Sequence, residues 1–126
     1  ACQRPAPPTA IPDVAGASAA IDRDLLDVTV AGLHRLYDAR AYTVTQVVGW
    51  HLARIDRYNG VYGAIETLYR DDALAEAARQ DAAAAEPGHA RGGLWGVPVV
   101  VKANTSIQGK VTSAGWAGFS GQATNS

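Results

Sequence analysis

Methionine is absent from all 126 residues. Ala1 is therefore not a translational start, and the chain is expected to be processed, trimmed or cut from something longer. Cysteine is almost absent too: Cys2 stands alone, which excludes an internal disulfide and a multi-cysteine metal site. An excess of either charge is also missing, with 11 basic and 12 acidic residues. A formal net charge of -1, with no basic run and no acidic tail, gives no reason to expect nucleic acid or an anionic membrane as partner. No apolar stretch approaches the roughly 20 residues that span a bilayer. The three histidines are scattered, His34 and His51 on predicted helices and His89 in a loop. No metal-ligand spacing such as His-x-x-x-His results, so they read as structural and no metal is expected. Gly92, Gly93 and Gly96 precede a predicted strand instead of opening a helix, so there is no Walker or dinucleotide fingerprint and no cofactor is expected.

What is present is the composition of a globular protein, with 48% hydrophobic and 18% charged residues. Residues 1–21 read as a Pro/Ala-rich linker or processed terminus, carrying Pro5, Pro7, Pro8 and Pro12. Residues 22–126 read as the ordered part. Ala1-Cys2 followed by such a linker resembles the processing site of a bacterial lipoprotein, where the cysteine is lipidated and anchors the domain to a membrane. The competing reading is an incidental cysteine in a tail. Localisation follows the choice: exported or membrane-anchored if Cys2 is a processing site, cytoplasmic otherwise.

Asp22 or Asp24 can cap a first helix, whose apolar face is Leu26, Val30, Leu33, Leu36 and Tyr37. Thr43-Val44-Thr45-Gln46 has the form of a capping box. It opens a second helix with Val47, Val48, His51, Leu52 and Ile55 on one side, expected to stop at Asn59-Gly60. Val61 to Leu68, rich in β-branched and aromatic residues, predicts a strand. Asp71 and Asp72 suit the start of a third, alanine-rich helix running to about Glu86 and ended by Pro87-Gly88. Glu76 and Asp81 on that helix read as solvated positions. Gly96-Val97-Pro98-Val99-Val100-Val101 is a continuous apolar run, expected as a strand buried on both faces. After Asn104 the chain reads as loop. A strand buried on two faces needs neighbours, so the sheet is expected to be completed by residues outside this sequence.

Lys102 ends that apolar run, and ligands of open α/β sheets gather at the carboxyl ends of strands. An ammonium there is paired, exposed, or pushed toward the neutral form by desolvation, which would suit a general base. The plain alternative is a strand-end lysine pointing into water. Asn104, Thr105, Ser106, Thr112 and Ser113 follow; they either orient the lysine or line a pocket, or else satisfy their own loop backbone. Trp95 and Trp116 flank the segment as pocket walls or as core.

The order of these pieces resembles the opening part of amidase-signature enzymes. The resemblance covers roughly residues 25–119. It rests on Leu52 to Asn59, on Asp72-Ala73-Leu74-Ala75-Glu76-Ala77, and above all on Gly93-Leu94-Trp95-Gly96-Val97-Pro98-Val99-Val100-Val101-Lys102-Ala103-Asn104, followed by Thr112-Ser113-Ala114-Gly115. It implies an α/β fold, with amino-terminal helices and first strands of a mixed central sheet flanked by helices, incomplete in this chain. It also implies hydrolysis of a carboxamide C–N bond, in a small-molecule or peptide amide, by a Ser–cis-Ser–Lys triad of which Lys102 is the lysine. Both triad serines belong to a glycine- and serine-rich signature downstream of this sequence, and neither Ser106 nor Ser113 matches them. The chain alone is therefore expected to be inactive. No oligomeric state is implied. Gly93, Trp95 and Ala103 stand where the family commonly has Pro, His and Asp, and Trp116 where serine is frequent. Ala103 thereby removes a carboxylate beside the lysine. Two other readings compete: a truncated or degenerate member acting as a non-catalytic binding module, and a lysine forming a Schiff base with a carbonyl cofactor, which the flanking motifs do not fit.

Overall fold

The structure is a computed structural model that describes residues 14–119, with side chains from residue 19 onward. Cys2, its proline-rich surroundings and the tail 120–126 lie outside the described residues. The chain divides into two units, residues 1–41 and residues 42–126.

The first unit holds α1 (Val14–Leu25) and α2 (Val30–Asp38). α1 takes in residues 14–21, which the composition assigns to the linker. The single helix expected from Asp22 or Asp24 onward is divided between α1 and α2. Thr29 explains the break: its hydroxyl accepts the Gly32 amide at 3.0 Å, so it caps a new helix instead of continuing the old one. The buried set shifts accordingly. Leu25, Leu33 and Tyr37 are buried, whereas Leu26 and Val30, expected on the apolar face, are exposed. α2 ends in a Schellman arrangement, with Ala41 N–H donating to Leu36 O and Arg40 N–H to Tyr37 O. Arg40 occupies the left-handed position at φ 55°, where glycine is the usual residue.

The second unit is built on α3 (Val44–Tyr62) and α4 (Arg70–Ala84), packed together as an antiparallel pair. The capping box at its start is formed: Thr43 Oγ1 accepts Gln46 N–H at 3.1 Å, and Gln46 Oε1 accepts Thr43 N–H at 2.8 Å. Val44, Val47, Val48 and Leu52 of α3 and Ala77 of α4 are buried. Burying a valine or leucine contributes about 1.5–3 kcal/mol, so these side chains outweigh any single cap. A second tie joins the helices end to end. Asp81 of α4 accepts Val44 N–H at 2.7 Å, Thr45 N–H at 3.0 Å and the Thr45 hydroxyl at 2.6 Å. A carboxylate at a helix amino terminus satisfies orphan amides and favours the dipole. Asp81, expected as a solvated position, is thus half-buried and structural.

Neither predicted strand forms among the described residues, which are helical with long irregular segments, an arrangement compatible with an incomplete piece of an amidase fold. For Val61 to Leu68 the cause is local. α3 continues past Asn59-Gly60 to Tyr62 and stops at Gly63, which is left-handed at φ 57°. Asn59 then donates to Ile65 O and accepts Ile65 N–H, both at 2.8 Å, taking the backbone groups a strand would offer a neighbour. For the Val97 to Val101 run the cause is the missing neighbour. Val99, Val100 and Val101 are 68%, 76% and 43% exposed, so the double-sided burial read from the sequence is not met here. An extended segment without an adjacent strand has no ladder to join. The other described residues of the unit are turn and loop, with a 3-10 turn at Ala117–Phe119.

Candidate functional site

The segment from Trp95 to Gly115 is anchored at three points of the helical hairpin and its connection. Upstream, Gln80 of α4 accepts the Gly96 amide at 2.8 Å. Downstream, Ser113 donates its hydroxyl to Glu66 at 2.6 Å, and Lys110 forms an ion pair with Asp72 while lying 4.5 Å from the Tyr69 ring. Between the anchors the loop closes on itself, Thr105 N–H donating to Lys102 O at 2.8 Å and Ala114 N–H to Ala103 O at 3.1 Å. Ala114 is left-handed at φ 51° and is followed by Gly115 at 77°. Ser113 stabilises this tight turn by also accepting Gly115 N–H at 3.2 Å.

These anchors leave an open groove of about 520 Å³ between the α3–α4 connection and the loop. Lys102 lines it, with Ile65, Tyr69, Val101, Ile107 and Val111 as apolar wall. Lys102 is exposed, and its ammonium meets no hydrogen-bond or ion-pair partner among the described residues. Both sequence readings of this lysine thus retain a foothold: it points toward water, and it does so from a groove that could hold a ligand.

Of the polar residues singled out beside it, Ser113 and Thr105 line the groove. Each also takes part in a turn, Thr105 through its backbone amide and Ser113 through its hydroxyl. Trp95 and Trp116 do not line the groove. Trp95 is half-buried with the Arg91 guanidinium 4.3 Å from its ring, and Trp116 is 60% exposed with its edge against Phe119. Glu66 is the groove residue that sequence reasoning passes over, because it sits inside a predicted strand; its contact to Ser113, 47 positions away, has no local signature.

The histidines take no part. His51 is half-buried on α3, its pKa lowered by burial and then by the neighbouring Arg54 charge, and its ring meets Trp50 edge-on. Among the described residues no cluster of His, Cys, Asp and Glu could hold a metal ion, and no helix is long and apolar enough to cross a membrane.

Comparison with known proteins adds a second line. A family model described as Amidase matches residues 46–125, which includes nearly all of α3, all of α4 and the whole Lys102 groove. A glutamyl-tRNA(Gln) amidotransferase subunit of Alkaliphilus metalliredigens (strain QYMF) is 34% identical over 87 residues. Those residues are 69% of this chain but 18% of that protein, so the chain spans only a small part of the relative it matches. No solved structure matches.

Proposed function

The chain belongs to the amidase family, and from that premise we propose that it is the amino-terminal part of an enzyme hydrolysing a carboxamide C–N bond, with Lys102 as the proton acceptor that starts the reaction. The observation that carries this reading is the position of Lys102: inside the family match, at the end of the Val97 to Val101 run, lining a groove with no partner for its ammonium among the described residues.

In this reading, the neutral Lys102 amine takes a proton from a bridging serine, which takes one from the nucleophilic serine. The serine oxygen then attacks the amide carbonyl. The C–N bond breaks as the leaving nitrogen gains a proton, and water afterwards cleaves the acyl-serine ester to release the acid. Both serines lie in the downstream signature that the resemblance implies. The same downstream chain would pair with the Val97 to Val101 segment and complete a mixed sheet flanked by helices. Lys102 is exposed here and would be enclosed by those added strands. If Cys2 is lipidated, the enzyme would work at a membrane surface.

Two assays test the proposal. Residues 1–126 alone should release no ammonia from a primary carboxamide. Ammonia release by this chain that disappears in Lys102→Ala would refute the two-part triad. The product of the whole reading frame should be active, and a frame that stops without a serine-rich segment would favour a non-catalytic binding module instead.

A further inference from the structure

One side-chain contact in the groove has no part in the proton relay. Glu66, on the connection between α3 and α4, accepts the Ser113 hydroxyl at 2.6 Å, and both residues line the groove with Lys102. Each end of this contact is tied to backbone on its own side. The Asn59 side chain, in the last turns of α3, donates to Ile65 O and accepts Ile65 N–H, both at 2.8 Å, which fixes the residue just before Glu66. On the loop side, the Ser113 hydroxyl also accepts Gly115 N–H at 3.2 Å, spanning Ala114 at φ 51°. A non-glycine residue in the left-handed region persists only where its surroundings hold it there. Ala114 N–H then donates to Ala103 O at 3.1 Å, and Ala103 directly follows Lys102. A continuous path therefore runs from the end of α3 to the peptide that carries the lysine, and it is complete within this chain.

Resting on the reading of Lys102 as the amidase base, we propose that Glu66 is a positioning residue for it. Through Ser113, Glu66 holds the turn that joins Ala114 to Ala103, and that turn sets where the Lys102 side chain leaves the backbone. The Lys102 ammonium meets no partner among the described residues, so its placement rests on the backbone that bears it. The role is mechanical: Glu66 has to accept a hydrogen bond and does not have to be charged. Glutamine can do that and alanine cannot.

The hold is tested in the 126-residue chain by amide hydrogen exchange. In Glu66→Ala, exchange at the Ala114 amide should rise about threefold to tenfold, the net effect of one hydrogen bond, while the Val48 and Leu52 amides inside α3 keep their rates. Glu66→Gln should restore most of the protection. Unchanged exchange at Ala114 would overturn the proposal, and so would an equal rise inside α3, which marks general loosening. The link to the reaction is tested in the product of the whole reading frame. Displacing a reacting group by about 1 Å costs up to about a hundredfold, so Glu66→Ala should lower kcat by about tenfold to a hundredfold, and Glu66→Gln should recover most of it. In a Lys102→Ala background Glu66→Ala should cost nothing more, because no lysine remains to be placed. An equal cost in both backgrounds would show a merely structural role and overturn the proposal. Native kcat in Glu66→Ala, with Lys102→Ala inactive, would overturn it while leaving the amidase reading intact. Full activity in Lys102→Ala would remove that reading and this proposal together.

Discussion

Replacing Asp81 with alanine should show that the helical hairpin is held by a carboxylate as well as by its apolar seam. Asp81 accepts three hydrogen bonds from the first turn of α3, one of them from the amide of Val44, a residue only 2% exposed. Water does not readily replace the carboxylate at that amide, and a buried donor left unsatisfied costs about 1–3 kcal/mol. The favourable charge at the helix amino terminus adds about 0.3–1 kcal/mol. The two Thr45 donors are nearer solvent and recover part of their loss, so we expect a total of about 2–3 kcal/mol for Asp81→Ala. All three tryptophans, Trp50, Trp95 and Trp116, belong to the unit of residues 42–126, so their fluorescence reports its unfolding in urea. With a slope of about 1–2 kcal/mol per molar, the midpoint should fall by about 1–3 M. A loss below about 0.5 kcal/mol, the range of ordinary surface substitutions, would refute the reasoning.

The same contact has a pH signature. Burial pushes the Asp81 carboxyl up, but the Thr45 hydroxyl, the Thr45 and Val44 amides and the Thr43 hydroxyl together outweigh it, and the net pKa is lowered. A carboxylate with a depressed folded-state pKa contributes stability above its unfolded value, about 3.9, and loses it as pH falls through the folded value. The advantage of the native chain over Asp81→Asn should therefore be full near about pH 6 and shrink steadily below about pH 4. A constant difference across that window would assign the effect to shape rather than charge.

Arg40→Gly should stabilise the first unit by about 1 kcal/mol, because it relieves a side chain held at φ 55°; a thermal melt that does not rise would count against strain there. Gly63→Ala should cost about 1 kcal/mol through backbone conformation alone, since an added Cβ would meet nothing within 4 Å. A matching Gly63→Asn, which tolerates the left-handed region better, should recover part of that loss. Asn59→Ala should cost about 1–2 kcal/mol and speed hydrogen exchange at the Ile65 amide, which it leaves without its acceptor; unchanged exchange would show that the Asn59 side chain does not hold the connection.

How far these features can be read in the sequence depends on the range of the interactions that make them. The capping box at Thr43 to Gln46 and the alanine-rich α4 are decided within a few residues, and both form where local pattern places them. The end of α3 lies a few residues beyond its local signal, because Asn59-Gly60 looks like a stop while Gly63 serves as one. Nothing in the spacing of Leu26 and Val30 shows that Thr29 would interrupt the helix between them. The two strand expectations fail for another reason. β-branched residues such as Val99 to Val101 favour an extended chain, but a strand exists only beside a neighbour. At the groove, Lys102 is legible from its place at the end of the apolar run. Glu66 is not, since its role depends on Ser113 folding back across 47 positions.

Whether Lys102 is the base is tested most directly by ammonia release from a primary carboxamide by the product of the whole reading frame, compared between the native sequence and Lys102→Ala. Loss of a positioned proton acceptor should lower the turnover rate by about a hundredfold to ten-thousandfold, with an unchanged circular dichroism spectrum. Activity retained within a few-fold in a folded Lys102→Ala protein would contradict the assignment of Lys102 as the base.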